Sequence, residues 1–340
     1  MIHPHIADAL KVPDLVRLTD GVILIRFESM KIYSALEAVR HLLGRGTIRP
    51  GQTLIDSSSG IYAYALALAC HRYGLRCHIV ASTTVDVTTL AQLEILGAVV
   101  EQVRPTRDLK HDQELRVRRV KEILAEHPGH HWMRQYHDDI HYLGYHGVAD
   151  RVADAFPGRK LTVVGGVGSG ASTGGIVEHL RRTDPTVRLV GIQPFGSVTF
   201  GSQDHHDPEA IIAGIGSSIV FENVRHPLYD AVHWLDFTHA MSGAVALLRD
   251  HAVFAGLSTG AGYLVASHEA GRHPGRLHLV IGADTGHRYV ERVFARHEEA
   301  LDPAALKPVE VAAPEEMTMP WSTMAWQRVP DPSQRKEPAA

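Results

Sequence analysis

The stretch VVGGVGSGASTGG at positions 163–175 sets a β-like run ahead of a glycine-dense turn that opens a helix. Several backbone N–H groups of such a turn can face one anion, and the helix N-terminus adds partial positive charge, so the segment suits a phosphate. A tight connection with no ligand is the bland alternative; against it stands the backbone entropy that so many glycines cost. A second small-residue turn, DSSSG at 56–60, follows the run TLI and precedes YAYALALACHRYG. It suits a carboxylate, although serine clusters also cap helices and do nothing more. Lys31 lies in LIRFESMKIYSALEAVRHLL, where an apolar strand-like run turns into an amphipathic helix. Alone it reads equally as a solvated lysine or as an amine set for chemistry.

Positions 166–171 also spell GxGxxA, which would pass as a dinucleotide fingerprint. A Rossmann site needs an acidic residue about twenty positions on, at the end of the next strand. Here VRLVGIQP ends in Gln193 and Pro194, so the NAD reading lacks its discriminating feature. His137 and His141 have the i,i+4 spacing that puts two imidazoles on one helix face. No HExxH pattern accompanies them, and the 24 histidines are scattered, so no metal is expected.

Positioning these turns requires alternating strands and helices. Short β-rich runs at 53–55, 76–80 and 99–103 alternate with helical patterns at 62–73 and 88–96. A second series has runs at 161–164, 187–192 and 277–281, with helices near 174–182 and 242–249. That alternation predicts βαβ units and parallel sheets, hence an α/β fold. Residues 108–126 read as an amphipathic helix with Val117, Val120 and Leu124 on one face and the basic run RVRR on a solvated one. From Pro303 the composition turns to Pro, Ala and Glu and ends in DPSQRKEPAA, a tail; its Trp321 and Trp326 are costly to leave in water and suit packing against the body or a neighbouring subunit, while the polar composition around them suits a plain disordered tail equally.

A length of 340 residues suits two domains, with a cleft between them as the first expectation. The formal charge of −4, without a Lys/Arg block, excludes nucleic acid as the expected partner. Cys70 and Cys77 form neither a CxxC pair nor a disulfide framework, which fits a reducing cytoplasm. No signal peptide and no run of eighteen apolar residues is present, so neither export nor a membrane is expected.

Taken in order, the motifs resemble the fold-type II pyridoxal-phosphate (PLP) enzymes, and among them cysteine synthase, over roughly Val12 to Ala295. The family's Schiff-base lysine stands in an S-x-K context, matched by Ser29-Met30-Lys31. Its substrate-carboxylate loop T-S-G-N-T-G is matched by Ser58, Ser59, Gly60, Ile61, Tyr62 and Ala63. Gly168, Ser169, Gly170, Ala171 and Ser172 match the phosphate cup, and Ser258 in GLSTG matches the serine that faces the pyridine nitrogen. Asp284 to Tyr289 match the closing D-x-G-x-R-Y pattern, residues 211–216 resemble the G-I-G segment that carries Gly214, and Gln135 resembles a substrate-side glutamine.

The resemblance implies a two-domain PLP enzyme with residues 1–35 and 141–300 as the larger, cofactor-anchoring domain. Residues 36–140 would form a smaller, mobile substrate-side domain, and 301–340 a tail. Lys31 is then the catalytic residue. Gly168 to Ser172, Ser258 and Ile61 line the cofactor, while Ser58, Ser59, Gly60, Tyr62, Gln135 and Gly214 meet an amino-acid substrate. Two departures stand out: Ile61 replaces the asparagine that bonds the ring hydroxyl, and Tyr62 replaces a threonine. A serine partner leaves the ring a moderate electron sink, which favours β-replacement on an O-activated serine by a sulfur or nitrogen nucleophile. β-Elimination and a non-catalytic paralogue are the alternatives. A homodimer is what the family implies.

Overall fold

The computed structural model describes residues 2–10, 12–83, 85–104, 109–209 and 214–326, with only the backbone of 109–111. Residues 211–213 of the G-I-G segment and the closing DPSQRKEPAA therefore lie outside the described residues. The elements in chain order are α1 (Ile6–Ala9), β1 (Asp14–Arg17), β2 (Val22–Arg26), α2 (Lys31–Gly44), β3 (Thr53–Ser57), α3 (Ile61–Tyr73), β4 (Arg76–Ser82), α4 (Val87–Ile95), β5 (Val99–Val103), α5 (Leu109–Glu126) and β6 (His131–Trp132). After a 3-10 segment, Asp139–Tyr145, come α6 (His146–Ala155), β7 (Leu161–Gly166), α7 (Ala171–Leu180), β8 (Arg188–Pro194), β9 (Ala231–Leu235), α8 (Phe237–His251), α9 (Leu257–Arg272), β10 (Leu277–Gly282), β11 (Val309–Glu310) and β12 (Trp321–Ala325).

Two compact bodies result, Met1–Val12 with Ser29–Tyr145, and Pro13–Glu28 with His146–Ala340. The first holds a parallel sheet in the order β5-β4-β3-β6. Helix α3 is rich in small residues and buries Ala63, Ala65, Ala67 and Ala69 together with Leu66 and Leu68, so it is apolar around most of its circumference and packs as an interior helix. Gly74, in the left-handed conformation with φ 65°, ends it by donating its N–H to the Cys70 carbonyl. Helix α2 buries Ile32, Ala35, Leu36 and Val39 in the same core. That apolar stripe is why residues 29–35, placed with the larger domain in the sequence reading, pack with the smaller sheet, and Lys31 with them.

The second body holds an eight-stranded sheet in the order β1-β2-β10-β7-β8-β9-β12-β11. Strands β2, β10, β7, β8 and β9 run parallel, β1 is antiparallel to β2, and β12 is antiparallel to β9. The parallel strands β7 and β10 are almost wholly buried, as expected of strands covered on both faces. Residues 301–326, read as part of a tail, contribute β11 and β12 to this sheet. Trp321 and Trp326 are buried, and Trp321 Nε1 donates to His233 Nδ1 at 3.1 Å, so the two indoles hold this segment against β9. In both bodies the small-residue turns follow the carboxyl ends of parallel strands, β3 and β7, where open α/β sheets bind ligands.

Candidate active site

In the first body, β3 ends at Ser57 and the chain turns through Ser58, Ser59 and Gly60 into α3. Ser58 N donates to the Val80 carbonyl at 3.1 Å, and Ser59 Oγ accepts from Ser82 N at 2.7 Å. The turn is thereby stapled to β4, and α3 opens directly from it, a helix start of the kind that can receive an anion. Asp56 supports the turn from below: its carboxylate accepts from Ser57 N, from Trp132 Nε1 and from Gln135 N at 2.8–3.1 Å. Burial outweighs those donors and pushes its pKa up to about 6. The Gln135 amide donates to the Ser57 carbonyl at 2.9 Å, so this residue braces the turn.

Ile61 is half-buried at the helix start. Tyr62 is directed inward: it is buried in the core of the first body, its ring 5.6 Å from that of His141 in an edge-on arrangement, with no hydrogen-bond partner for its hydroxyl among the described residues. Lys31 is the first residue of α2, and burial alone pulls its amine down to about 8. One turn on, Ser34 Oγ lies 2.9 Å from His141 Nδ1, while His141 Nε2 lies 2.9 Å from the Met133 carbonyl. A carbonyl only accepts, so Nε2 carries the proton and Nδ1 accepts from the serine. Both ring nitrogens are thus engaged within the protein, and positions 137 and 141 share no helix face, the first lying in a turn and the second in the 3-10 segment. Among the described residues no group of three or more His, Cys, Asp or Glu is placed to hold a metal ion.

His141 was absent from the sequence-based site, and its environment carries a measurable consequence. Burial pulls its pKa down to about 4. An unfolded imidazole therefore takes up a proton that the folded one refuses, and the wild-type protein should lose stability relative to His141→Gln as pH falls from 6.5 to 4, by about 3 kcal/mol at pH 4. Asp56, with its raised pKa, acts in the opposite sense below pH 6 in both proteins and cancels in the difference. Urea unfolding at stepped pH measures this; a constant difference would show that the folded imidazole is not held neutral.

In the second body, β7 ends at Gly166, the chain passes through Val167 into Gly168, Ser169 and Gly170, and α7 begins at Ala171. Gly170 caps that helix at φ 77°, and a Cβ there would sit 2.7 Å from the Asn223 carbonyl oxygen. A Cβ on Gly168 would lie 2.2 Å from the Gly214 carbonyl oxygen, so the turn and the 214–216 segment touch backbone to backbone. Gln193 Nε2 donates to the Val167 carbonyl at 2.6 Å, and Gly216 N donates to it at 2.8 Å. The residue standing where a ribose-binding acid would be thus clamps the strand end ahead of the glycine turn. Ser258, second residue of α9, is buried beside Gly166 and Ile215. The sequence-selected residues of this body, Gly168 to Ser172, Gly214 and Ser258, are brought together.

Missed by sequence reasoning was Arg116 on α5. The run RVRR is not one solvated face: Arg119 pairs with Glu101, Glu122 and Glu126, and Arg118 is exposed, while Arg116 turns inward. Its Nε is buried without a hydrogen-bond partner among the described residues, and burial lowers its pKa against the raising influence of Tyr136 and Asp112. Tyr136 in turn senses Asp56, which puts Arg116 in the surroundings of the serine turn. The signal was the i,i+4,i+7 series Arg116, Val120 and Ile123, the latter two fully buried.

Residues 24–282 match the family described as pyridoxal-phosphate dependent enzyme. The chain is 34% identical over 269 residues to an N-(2-amino-2-carboxyethyl)-L-glutamate synthase of Ralstonia nicotianae, covering 78% of each chain. It is 29% identical to a putative cysteine synthase of Sinorhizobium fredii, covering 81% of this chain and 84% of that one. Its fold matches the O-acetylserine dependent cystathionine beta-synthase of Helicobacter pylori with a TM-score of 0.77 at 21% identity, covering 86% of this chain and 98% of the other.

Proposed function

The chain belongs to the family of pyridoxal-phosphate dependent enzymes, and from that premise we propose that it joins the β-carbon of an O-activated serine to the amino group of an acidic amino acid. The residues present fit the cofactor. Gly168 and Gly170 leave the start of α7 without side chains, an enclosed amine of lowered pKa stands at Lys31, and Ser258 opens α9 with a buried hydroxyl. In this reading the turn from Gly168 to Ser172 holds the phosphate, Ser258 serves the ring nitrogen, Gly214 flanks the ring and Lys31 forms the covalent link. Ile61 leaves the ring hydroxyl to another donor. When bound, the cofactor supplies an electron sink for the substrate α-carbon.

The chain's own groups do the rest. The start of α3 at Ser58 to Gly60 receives the α-carboxylate, and Asp56 and Gln135 hold that turn in place. Lys31 Nζ, which would be freed when the substrate amino group takes its place on the cofactor and is neutral in an appreciable fraction near neutral pH, would take the α-proton. Loss of the leaving group opens the β-carbon to a nucleophile. Tyr62, buried in the core of the first body, supports α3 from within.

The observation that carries the choice of nucleophile is Arg116, a half-buried side chain whose Nε is buried with no hydrogen-bond partner among the described residues. A buried donor of this kind wants an anion, and an incoming amino acid with a second carboxylate supplies one. The relatives support an amine or a sulfur nucleophile: one is named for a product in which an aminocarboxyethyl group sits on the nitrogen of glutamate, another as a putative cysteine synthase.

The test is steady-state kinetics with O-phosphoserine or O-acetylserine as donor and glutamate, aspartate, glutamine or sulfide as acceptor. Glutamate or aspartate should outcompete glutamine, and Arg116→Gln should raise the KM of the acidic acceptor about 10- to 100-fold. The rate with sulfide should be unchanged. Keto acid released in proportion to donor, with no acceptor incorporated, would overturn replacement in favour of elimination.

A further inference from the structure

Strand β10 ends at Gly282, and two residues on, Asp284 turns its carboxyl group into the second body against the start of α9. The residue is only 7% exposed. One oxygen, Oδ2, accepts from Tyr289 Oη at 3.3 Å; the other, Oδ1, is buried without a hydrogen-bond partner among the described residues. Its neighbour is Gly256, the N-cap of α9, on which a Cβ would lie 2.0 Å from Oδ1. Gly256 N donates to the Asp284 carbonyl at 3.1 Å, and Ala255 bridges Thr285, so the two segments are locked side by side. The same first turn of α9 carries Ser258 and a buried hydroxyl, Thr259 Oγ1, without a hydrogen-bond partner among the described residues.

An unpaired carboxyl oxygen in such a place is costly unless it serves a charge or donor that the site otherwise holds. We propose that Asp284 is a positioning residue for Ser258: its carboxyl group fixes and polarises the first turn of α9, and its protonation sets how the Ser258 hydroxyl bonds to the cofactor ring. A negative charge at a helix start attracts the N–H groups there and draws the turn tight. A neutral acid loses that pull. The groups that act on Asp284 are Arg288 and Tyr289, both of which favour its ionised form, while burial favours the acid and raises its pKa to about 6. The first turn of α9 adds only hydroxyls, from Ser258 and Thr259.

This inference rests on the proposed placement of Ser258 at the ring nitrogen, and the test separates the two. The visible absorption of the PLP-loaded protein is recorded from pH 5 to 7.5 for the wild type, Asp284→Asn and Ser258→Ala. The wild type should show a one-proton change with a midpoint near 6 that is missing in both variants. Lys31 is present in all three, so its contribution cancels. An unaltered midpoint in Asp284→Asn would overturn the role of Asp284. A Ser258→Ala spectrum identical to wild type at every pH would overturn the placement of Ser258 itself, and the inference with it. Should Asp284→Asn fail to fold, Tyr289→Phe removes one donor from the carboxylate and must move the midpoint upward; an unmoved midpoint again refutes the coupling.

Discussion

Lys31→Ala should yield a folded protein that still takes up pyridoxal phosphate but no longer holds it covalently, with turnover reduced by about 10³-fold or more. The amine stands at the first residue of α2, and burial brings its pKa to about 8. At pH 7 about a tenth of such an amine is neutral, against fewer than one in a thousand of an ordinary lysine. Attachment of the cofactor should therefore speed up as pH rises and level off above about 8. Borohydride fixation at a series of pH values, followed by peptide mapping, reads both the site and the midpoint. A label on another lysine, or a rate still climbing at pH 10, would contradict the assignment.

Gly168→Ala is expected to lower cofactor affinity by roughly 10- to 100-fold, the equivalent of about 1–3 kcal/mol of overpacking. The new Cβ would stand 2.2 Å from the Gly214 carbonyl oxygen, and backbone cannot swing aside as a flexible side chain can. The turn and the 214–216 segment must separate, which would spread the N–H groups of the turn proposed to hold the phosphate. Gly170→Ala adds a second fault, because φ 77° is unfavourable for any residue with a Cβ, so its cost falls on folding as well. Equilibrium titration of the apoprotein with pyridoxal phosphate, beside urea unfolding, distinguishes the two. Wild-type affinity in Gly168→Ala would mean that the phosphate is bound elsewhere.

The parts of the fold legible in the sequence are those written in local pattern. Strand, small-residue turn and helix follow each other within about twenty residues at both β3–α3 and β7–α7, where alternation and glycine chemistry are sufficient signals. Lys31 was legible as a junction, but not the body it packs with, since that depends on which core receives the stripe from Ile32 to Val39. Tyr62 was read as part of a binding surface because it aligns with one; its direction is set by the wheel of α3, which turns position 62 toward His141. Arg116 was hidden inside a basic run, where charge suggested solvent and the 100° step between neighbours on a helix was decisive. The final strand carried too weak a pattern for recognition, and it owes its place to pairing with β9 and to two buried indoles.

The strand order of the larger sheet has a consequence for how the chain is made. Strand β2, from the first thirty residues, pairs with β10, so Val22 finds its partner only when His278 exists, and β12 arrives later still. The smaller body, apart from its first residues, is one continuous stretch from Ser29 to Tyr145. During synthesis it can close as soon as it clears the ribosome, while β1 and β2 wait as an apolar hairpin for a neighbour nearly the whole chain away. The nascent protein therefore passes most of its synthesis with the apolar strand VILIR lacking its parallel neighbour.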